Sequence, residues 1–191
     1  MTSAVHPLPP DRWDDLVDLF GPTRGACAGC WCMWPRLRGV DFKALPKEAR
    51  REAFEAIVNA GPPPGLLLYE NEIPIGWVAI SPRRAVHRFN IAKVSAPADP
   101  LSADLERTWA LTCFYARSGH RGQRLTTRLA EAAIAYARDQ GAERIEVAAI
   151  DPDRPLVWGE GFVGIAAMLA PLGFREIDRR SPIRPLLRLE L

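Results

Sequence analysis

The chain has 191 residues, 48% of them hydrophobic, and its 25 basic residues nearly balance 23 acidic ones. That length and apolar content suit one domain around one core, and a formal charge of +2 excludes a polyanion-binding role argued from net charge. The chain does not open with a basic start followed by an apolar run, and no apolar stretch approaches the ~18 residues of a membrane span. A cytoplasmic protein without membrane or nucleic-acid partners is expected.

Residues 9–20, "PPDRWDDLVDLF", place Trp13, Leu16, Val17 and Phe20 at helical spacing, with acids near the start and Gly21-Pro22 as a stop. A Cys- and Trp-rich loop is expected to run on to about Val40. The stretch 46–60 predicts a second helix, opened by Pro46 and striped by Ala49, Ala53, Phe54, Ile57 and Val58. The period then shortens. "LLLYENEIPIGWVAIS" reads as two strands around a turn at Glu70–Glu72, and residues 82–107 have no clear period and predict an irregular excursion.

In 108–117, "TWALTCFYAR", Trp109, Leu111, Cys113 and Tyr115 alternate with small or polar residues, which predicts a central strand with those four on one face. A helix is expected from Leu125 to Gln140, closed by Gly141. A strand at 143–150, a short helix within 163–173, and strands at 174–179 and 185–191 complete an α/β domain with a mixed sheet.

Between the central strand and the long helix lies "SGHRGQRLTTRLAEAA", from Ser118 to Ala133. A helix N-terminus leaves main-chain N–H groups unpaired and carries partial positive charge, so it takes up phosphate. Gly119 and Gly122 permit a close main-chain approach to a ligand, and Arg121 and Arg124 add charge for phosphates.

The stretch 108–150 resembles the cofactor-binding motif of the GNAT superfamily of acetyl-CoA-dependent N-acetyltransferases. The family's Q/R-x-x-G-x-G/A signature aligns with Arg121-Gly122-Gln123-Arg124-Leu125-Thr126. "MLAPLGFREI" resembles a later family motif ending in Gly173 and Phe174, and "GACAGCWCMWPR" resembles the "CWCMxW" segment of one bacterial subgroup. The resemblance covers nearly the whole chain. It implies a mostly antiparallel central sheet flanked by helices, with a strand–turn–helix site for acetyl-CoA.

Arg124 and Thr126 replace both glycines of the signature. The left-handed conformation that glycine favours is expected at Gly122, leaving Arg124 to point outward and Thr126 to cap the helix. The resemblance implies cofactor contacts from His120, Arg121, Gly122, Gln123, Arg124, Leu125, Thr126 and Thr127, with Phe114 and Ala116 pairing with pantetheine as a strand would. The core of the cofactor site is then 108–150, and residues 1–60 form part of the acceptor side of a single 1–191 domain.

The implied reaction is direct attack of an amine on the thioester, with a strand N–H near Phe114 or Tyr115 steadying the oxyanion. Many relatives place a tyrosine acid four residues before the Gly-Phe pair; Leu169 stands there. Tyr115 is the nearest substitute acid, and Asp151, after the strand at 143–150, is the candidate base, ahead of Glu160. Trp31, Met33, Trp34 and Trp158 are candidate walls of the acceptor cleft.

Cys27, Cys30 and Cys32 supply three thiolates at most, so no metal is expected, and the segment reads as packing. Two other readings stay open: a non-catalytic acetyl-CoA-binding module, and a zinc-binding interaction protein using the Cys27/Cys30/Cys32 cluster. A small-molecule or peptide amine is the expected partner, and a homodimer through the terminal strands is compatible with the sequence.

Overall fold

The computed structural model describes residues 3–21, 29–101, 103–120, 124–157 and 159–191. Seven strands among them form one sheet in the order β1-β2-β3-β4-β5-β7-β6. The strands are β1 (Ser3–Pro7), β2 (Gly65–Glu70), β3 (Ile73–Pro82), β4 (Thr108–Ala116), β5 (Arg144–Ala148), β6 (Arg175–Arg179) and β7 (Pro185–Glu190). Every neighbouring pair is antiparallel except β4–β5, which is parallel. The mixed, mostly antiparallel sheet agrees with expectation; β1 was not anticipated, because it is short and its residues are half-exposed at a sheet edge.

Two helical layers cover the sheet. On one face α5 (Leu125–Asp139) buries Leu125, Leu129, Ala130, Ala133 and Ala137 against the strands. The alanines bring the helix close to the sheet at little side-chain entropy cost. On the other face α1 (Trp13–Phe20) and α3 (Lys47–Ala60) pack Trp13, Leu16, Phe20, Phe54 and Val58 around Trp77. A short helix absent from the sequence reading, α2 (Gly39–Ala44), begins at the end of the expected loop and runs toward the helix expected at 46–60, and another, α4 (His87–Ile91), lies in the 82–107 excursion. A last short helix, α6 (Ala166–Leu169), carries Leu169 into the core beneath α5. No described helix is long and apolar enough to cross a membrane.

The 82–107 excursion is irregular, yet it is anchored. Arg83, 1% exposed, pairs with Glu146, 2% exposed, on β5. Arg83 also donates to Asn90 Oδ1 at 3.0 Å and to the Ser95 carbonyl at 2.6 Å. Burial pushes its guanidinium down to about 10, aided by the like charges of Arg188 and Arg180.

One detail of β4 corrects the sequence reading. Ala79 pairs with Cys113 and Ile80 with Leu111, so Thr112 is an extra residue, a β-bulge. An inserted residue switches which side chains share a face. Trp109 and Leu111 pack with Phe114 toward α5, whereas Cys113 and Tyr115 pack with the α1/α3 layer. The four residues expected on one face are therefore divided between two.

Candidate active site

The sheet parts at its single parallel seam. β4 pairs with β5 at Thr108, Trp109 and Ala110, while its pairing with β3 continues to Ala116. Beyond β5, Ile150 instead bridges Ile165: Ile150 N–H donates to Gly164 O at 2.8 Å, and Ala166 N–H donates to Ile150 O at 2.8 Å. Gly164 makes this possible. Its φ is +86°, and a Cβ there would stand 2.9 Å from the Phe114 ring.

Arg117 N–H donates to Ile75 O at 2.8 Å. Alternate residues of an antiparallel strand bond the same neighbour, so Cys113 and Tyr115 turn their main-chain groups toward β3. Those of Phe114 and Ala116 point the other way, into the gap.

A cleft of about 550 Å³ occupies the gap, lined by Phe114 and Ala116 from β4, by Arg124, Leu125 and Thr126 at the α5 N-terminus, and by Leu156, Val157, Gly159, Gly161 and Phe162. Five of the sequence-predicted cofactor contacts are thus brought together. Thr127 follows on α5 without lining the cleft. His120 is drawn instead toward Glu70, with Nδ1 3.4 Å from Oε2. Arg121, Gly122 and Gln123 lie outside the described residues, as do Cys27 and Trp158. The stretch that supplies Leu156, Val157, Gly159, Gly161 and Phe162 is singled out in the sequence through Trp158 and Glu160, but these five residues are not, because no periodicity marks them.

Arg124 corrects another expectation. It is itself left-handed, at φ 55° and ψ 23°, and occupies the position before α5 with no side-chain cap. Thr126 lies inside the helix and does not cap it. A left-handed non-glycine residue costs roughly 1–2 kcal/mol. Arg124→Gly is expected to stabilise the fold by about 0.5–1 kcal/mol after the added chain entropy of glycine, read as a rise in the urea midpoint. A lower midpoint would show that the arginine side chain offsets its own strain.

A second cleft of about 290 Å³ adjoins the first, sharing Gly159 and Phe162. Its other walls include Trp34, Phe42, Cys30, Cys32, Cys113 and the bulge residue Thr112. Of the predicted walls, Trp34 is present. Trp31 and Met33 are not: they are 2% and 4% exposed and belong to the core under α1 and α3. Phe42 and Phe162 were missed, the first because α2 is too short to show a helical period.

The Cys/Trp segment is held by its burial. Trp31 and Cys32 both have positive φ, at 47° and 52°, a costly state for bulky residues that persists where surrounding contacts over-determine it. Trp77 Nε1 donates to Cys32 Sγ at 3.2 Å. The hydrogen bond with Cys113, then those of Trp77 and the charge of Arg36, draw the Cys32 thiol below its usual range against the effect of burial. Arg36 is half-buried alongside, and desolvation of its guanidinium pushes it down to about 10; it donates to Ser81 Oγ at 2.9 Å. Among the described residues no group of three or more His, Cys, Asp or Glu is placed to hold a metal ion.

The predicted acid and base fall outside both clefts. The Tyr115 ring stacks on Phe162 at 6.0 Å and meets Phe20 edge-on at 5.4 Å. The Asp151 carboxylate is taken by Arg179 at 2.9 Å, on the β6 side of β5. Glu160 is engaged by Arg154 at 2.7 Å. Leu169, in the position of the usual tyrosine, is fully buried.

A mixed sheet parted between two parallel strands, with a helix N-terminus over the gap, is the architecture of the GNAT fold. Residues 26–157 match the model of the acetyltransferase (GNAT) family, and the chain belongs to that family. No curated protein matches the sequence. Among solved structures, an N-acetyltransferase from Staphylococcus aureus Mu50 has a TM-score of 0.57 at 12% identity, over 100% of this chain and 99% of that one. The yncA structure from Salmonella typhimurium, with its cofactor acetyl-CoA, has a TM-score of 0.57 at 14% identity, over 100% and 95%. The paia N-acetyltransferase from Thermoplasma acidophilum, in complex with coenzyme A, has a TM-score of 0.54 at 10% identity, over 100% of both. At these identities the likeness is one of fold.

Proposed function

We propose that the chain transfers an acetyl group from acetyl-CoA to a primary amine of a small molecule or peptide, by direct attack while both are bound. The observation that carries this reading is the meeting of the two clefts at Gly159 and Phe162, beside the parted edge of β4. Acetyl-CoA, when bound, supplies a thioester carbonyl open to attack. The chain works as one domain, with residues 1–60 forming part of the acceptor side.

The first cleft has groups suited to such a ligand. The main-chain groups of Phe114 and Ala116 would receive an extended amide chain as a sheet edge receives a strand. The α5 N-terminus and the exposed Arg124 favour phosphate, with His120, Arg121, Gly122, Gln123 and Thr127 as the adjoining contacts. The Phe114 N–H, turned into the gap, would steady a developing oxyanion; that of Tyr115 is turned to β3. Holding amine and acyl carbon together contributes most of the rate in this reading. Neither Tyr115 nor Asp151 then handles a proton.

The test is the thermal midpoint with and without acetyl-CoA, with adenosine bisphosphate as a control. At a ligand concentration of 100 times Kd the folded state gains about 2.7 kcal/mol, which for a chain of this size raises the midpoint by roughly 5–10 °C. A clear rise, followed by release of CoA thiol in the presence of an amine, supports transfer. No rise with well-folded protein overturns the reading. The buried Leu169 favours one alternative, an acetyl-CoA-binding module without transfer, which predicts the rise and no thiol release.

A further inference from the structure

We propose that the second cleft selects a weakly basic aromatic amine, one whose nitrogen is uncharged at neutral pH. This deepens the acetyltransferase reading and rests on it. The cleft's rings are Trp34, Phe42 and Phe162, and its polar side chains among the described lining residues are the Thr112 hydroxyl and the thiols of Cys30, Cys32 and Cys113. None of the described lining residues is a carboxylate, a histidine or a lysine. A lining of rings and thiols receives a flat apolar body and leaves an ammonium group without a partner.

The charges behind the walls point the same way. The Arg88 guanidinium lies 3.7 Å from the centroid of the Trp34 ring, and that of Arg50 lies 3.8 Å from the centroid of Phe42. Two of the cleft's three rings, Trp34 and Phe42, therefore already carry a cation on one face, which weakens the attraction either ring offers an ammonium group. Arg36 lies beside Cys32 and matches any negative charge on that thiol. Glu160, the chain neighbour of the lining residue Gly159, is held by Arg154. A polyamine or a lysine side chain would enter beside these guanidiniums with no carboxylate among the described lining residues to meet it.

The chemistry closes without a base in the cleft. The nitrogen lone pair of a neutral arylamine forms the new C–N bond, the C–S bond of the thioester breaks with its electron pair on sulfur, and the proton lost by nitrogen ends on the departing thiolate. The products are an N-aryl acetamide and CoA thiol. An ammonium acceptor would first have to lose a proton to some group, and the described lining residues include neither a carboxylate nor an imidazole for it.

The experiment compares aniline and 5-aminoindole with spermidine and a lysine-containing peptide at equal concentrations, following CoA thiol release by the full chain. Acetyl-CoA binding is established first by the thermal midpoint, so a failure of the acetyltransferase reading is seen separately. The expected result is a kcat/KM for the arylamines at least about 100-fold above that for either cationic acceptor. Phe42→Asp, which puts a carboxylate into the cleft, is expected to reduce that preference at least about 10-fold while the acetyl-CoA shift persists; Trp34→Asp, at a wall residue 43% exposed, serves if the first variant does not fold. Faster transfer to spermidine or the peptide overturns the assignment. So does an intact acetyl-CoA shift with no turnover of either arylamine.

Discussion

Glu146→Gln is expected to lower the thermal midpoint by roughly 6–20 °C, corresponding to about 3–5 kcal/mol. Glu146 is 2% exposed and faces two guanidiniums: Arg83, itself buried, and Arg188, whose Nη2 lies 2.6 Å from Oε1. The amide keeps the volume and part of the hydrogen bonding but removes the counter-charge. Arg83 cannot turn to water, because its remaining donors are committed to Asn90 and Ser95. Charges left unpaired in the interior cost far more than their pairing gains.

The double replacement Glu146→Leu with Arg83→Met should recover much of the loss, since an apolar pair carries no unpaired charge. A midpoint for Glu146→Gln within 2 °C of the parent would mean that water reaches this site. The ion pair also has a functional reach. It fixes the segment carrying α4, whose Phe89 N–H donates to Pro35 O at 3.2 Å and whose Arg88 stacks on Trp34. Loss of the pair should therefore weaken acceptor use before cofactor binding.

Trp77→Ala carries an expected loss of about 3–5 kcal/mol, again roughly 6–20 °C in midpoint. Trp77 is fully buried on β3, with Phe20 and Phe54 edge-on at 6.2 and 6.1 Å. Gly65 is needed beside it: a Cβ there would stand 2.5 Å from the indole and 2.2 Å from the Val78 carbonyl. The site is shaped around an indole and does not collapse readily when the ring is removed.

The informative companion is Trp77→Phe. It keeps an aromatic ring and removes the Nε1–H that donates to Cys32, at a cost of roughly 1–3 kcal/mol. Cys32, which lines the second cleft, and Trp31 beside it in the chain hold left-handed conformations, so loosening that bond should raise the acceptor KM several-fold with the acetyl-CoA shift unchanged. An equal loss of acetyl-CoA binding would show that Trp77 supports the whole sheet and not the acceptor wall.

Periodicity determined the two long helices, α3 and α5, because each has a continuous apolar face long enough to show its repeat, while the β2–β3 hairpin and the central strand were legible from short runs rich in β-formers. The motif from Arg121 to Thr126 pointed to the family and to the helix N-terminus that lies beside the first cleft. Family resemblance also directed attention to Phe114 and Ala116, whose outward main-chain groups no side-chain pattern reveals. The tertiary structure decided the rest. A bulge at Thr112 reversed the faces of β4, which alternation in the sequence cannot register because one extra residue carries no signature. Trp31 and Met33 went into the core while Phe42 and Phe162 came to line the second cleft, since burial of an apolar side chain depends on what lies opposite it. Asp151 was drawn into an ion pair with Arg179, a partner 28 residues away in the chain. Local pattern specifies which segments become regular; which side chains then meet across the parted seam of β4 and β5 is settled by packing between distant segments.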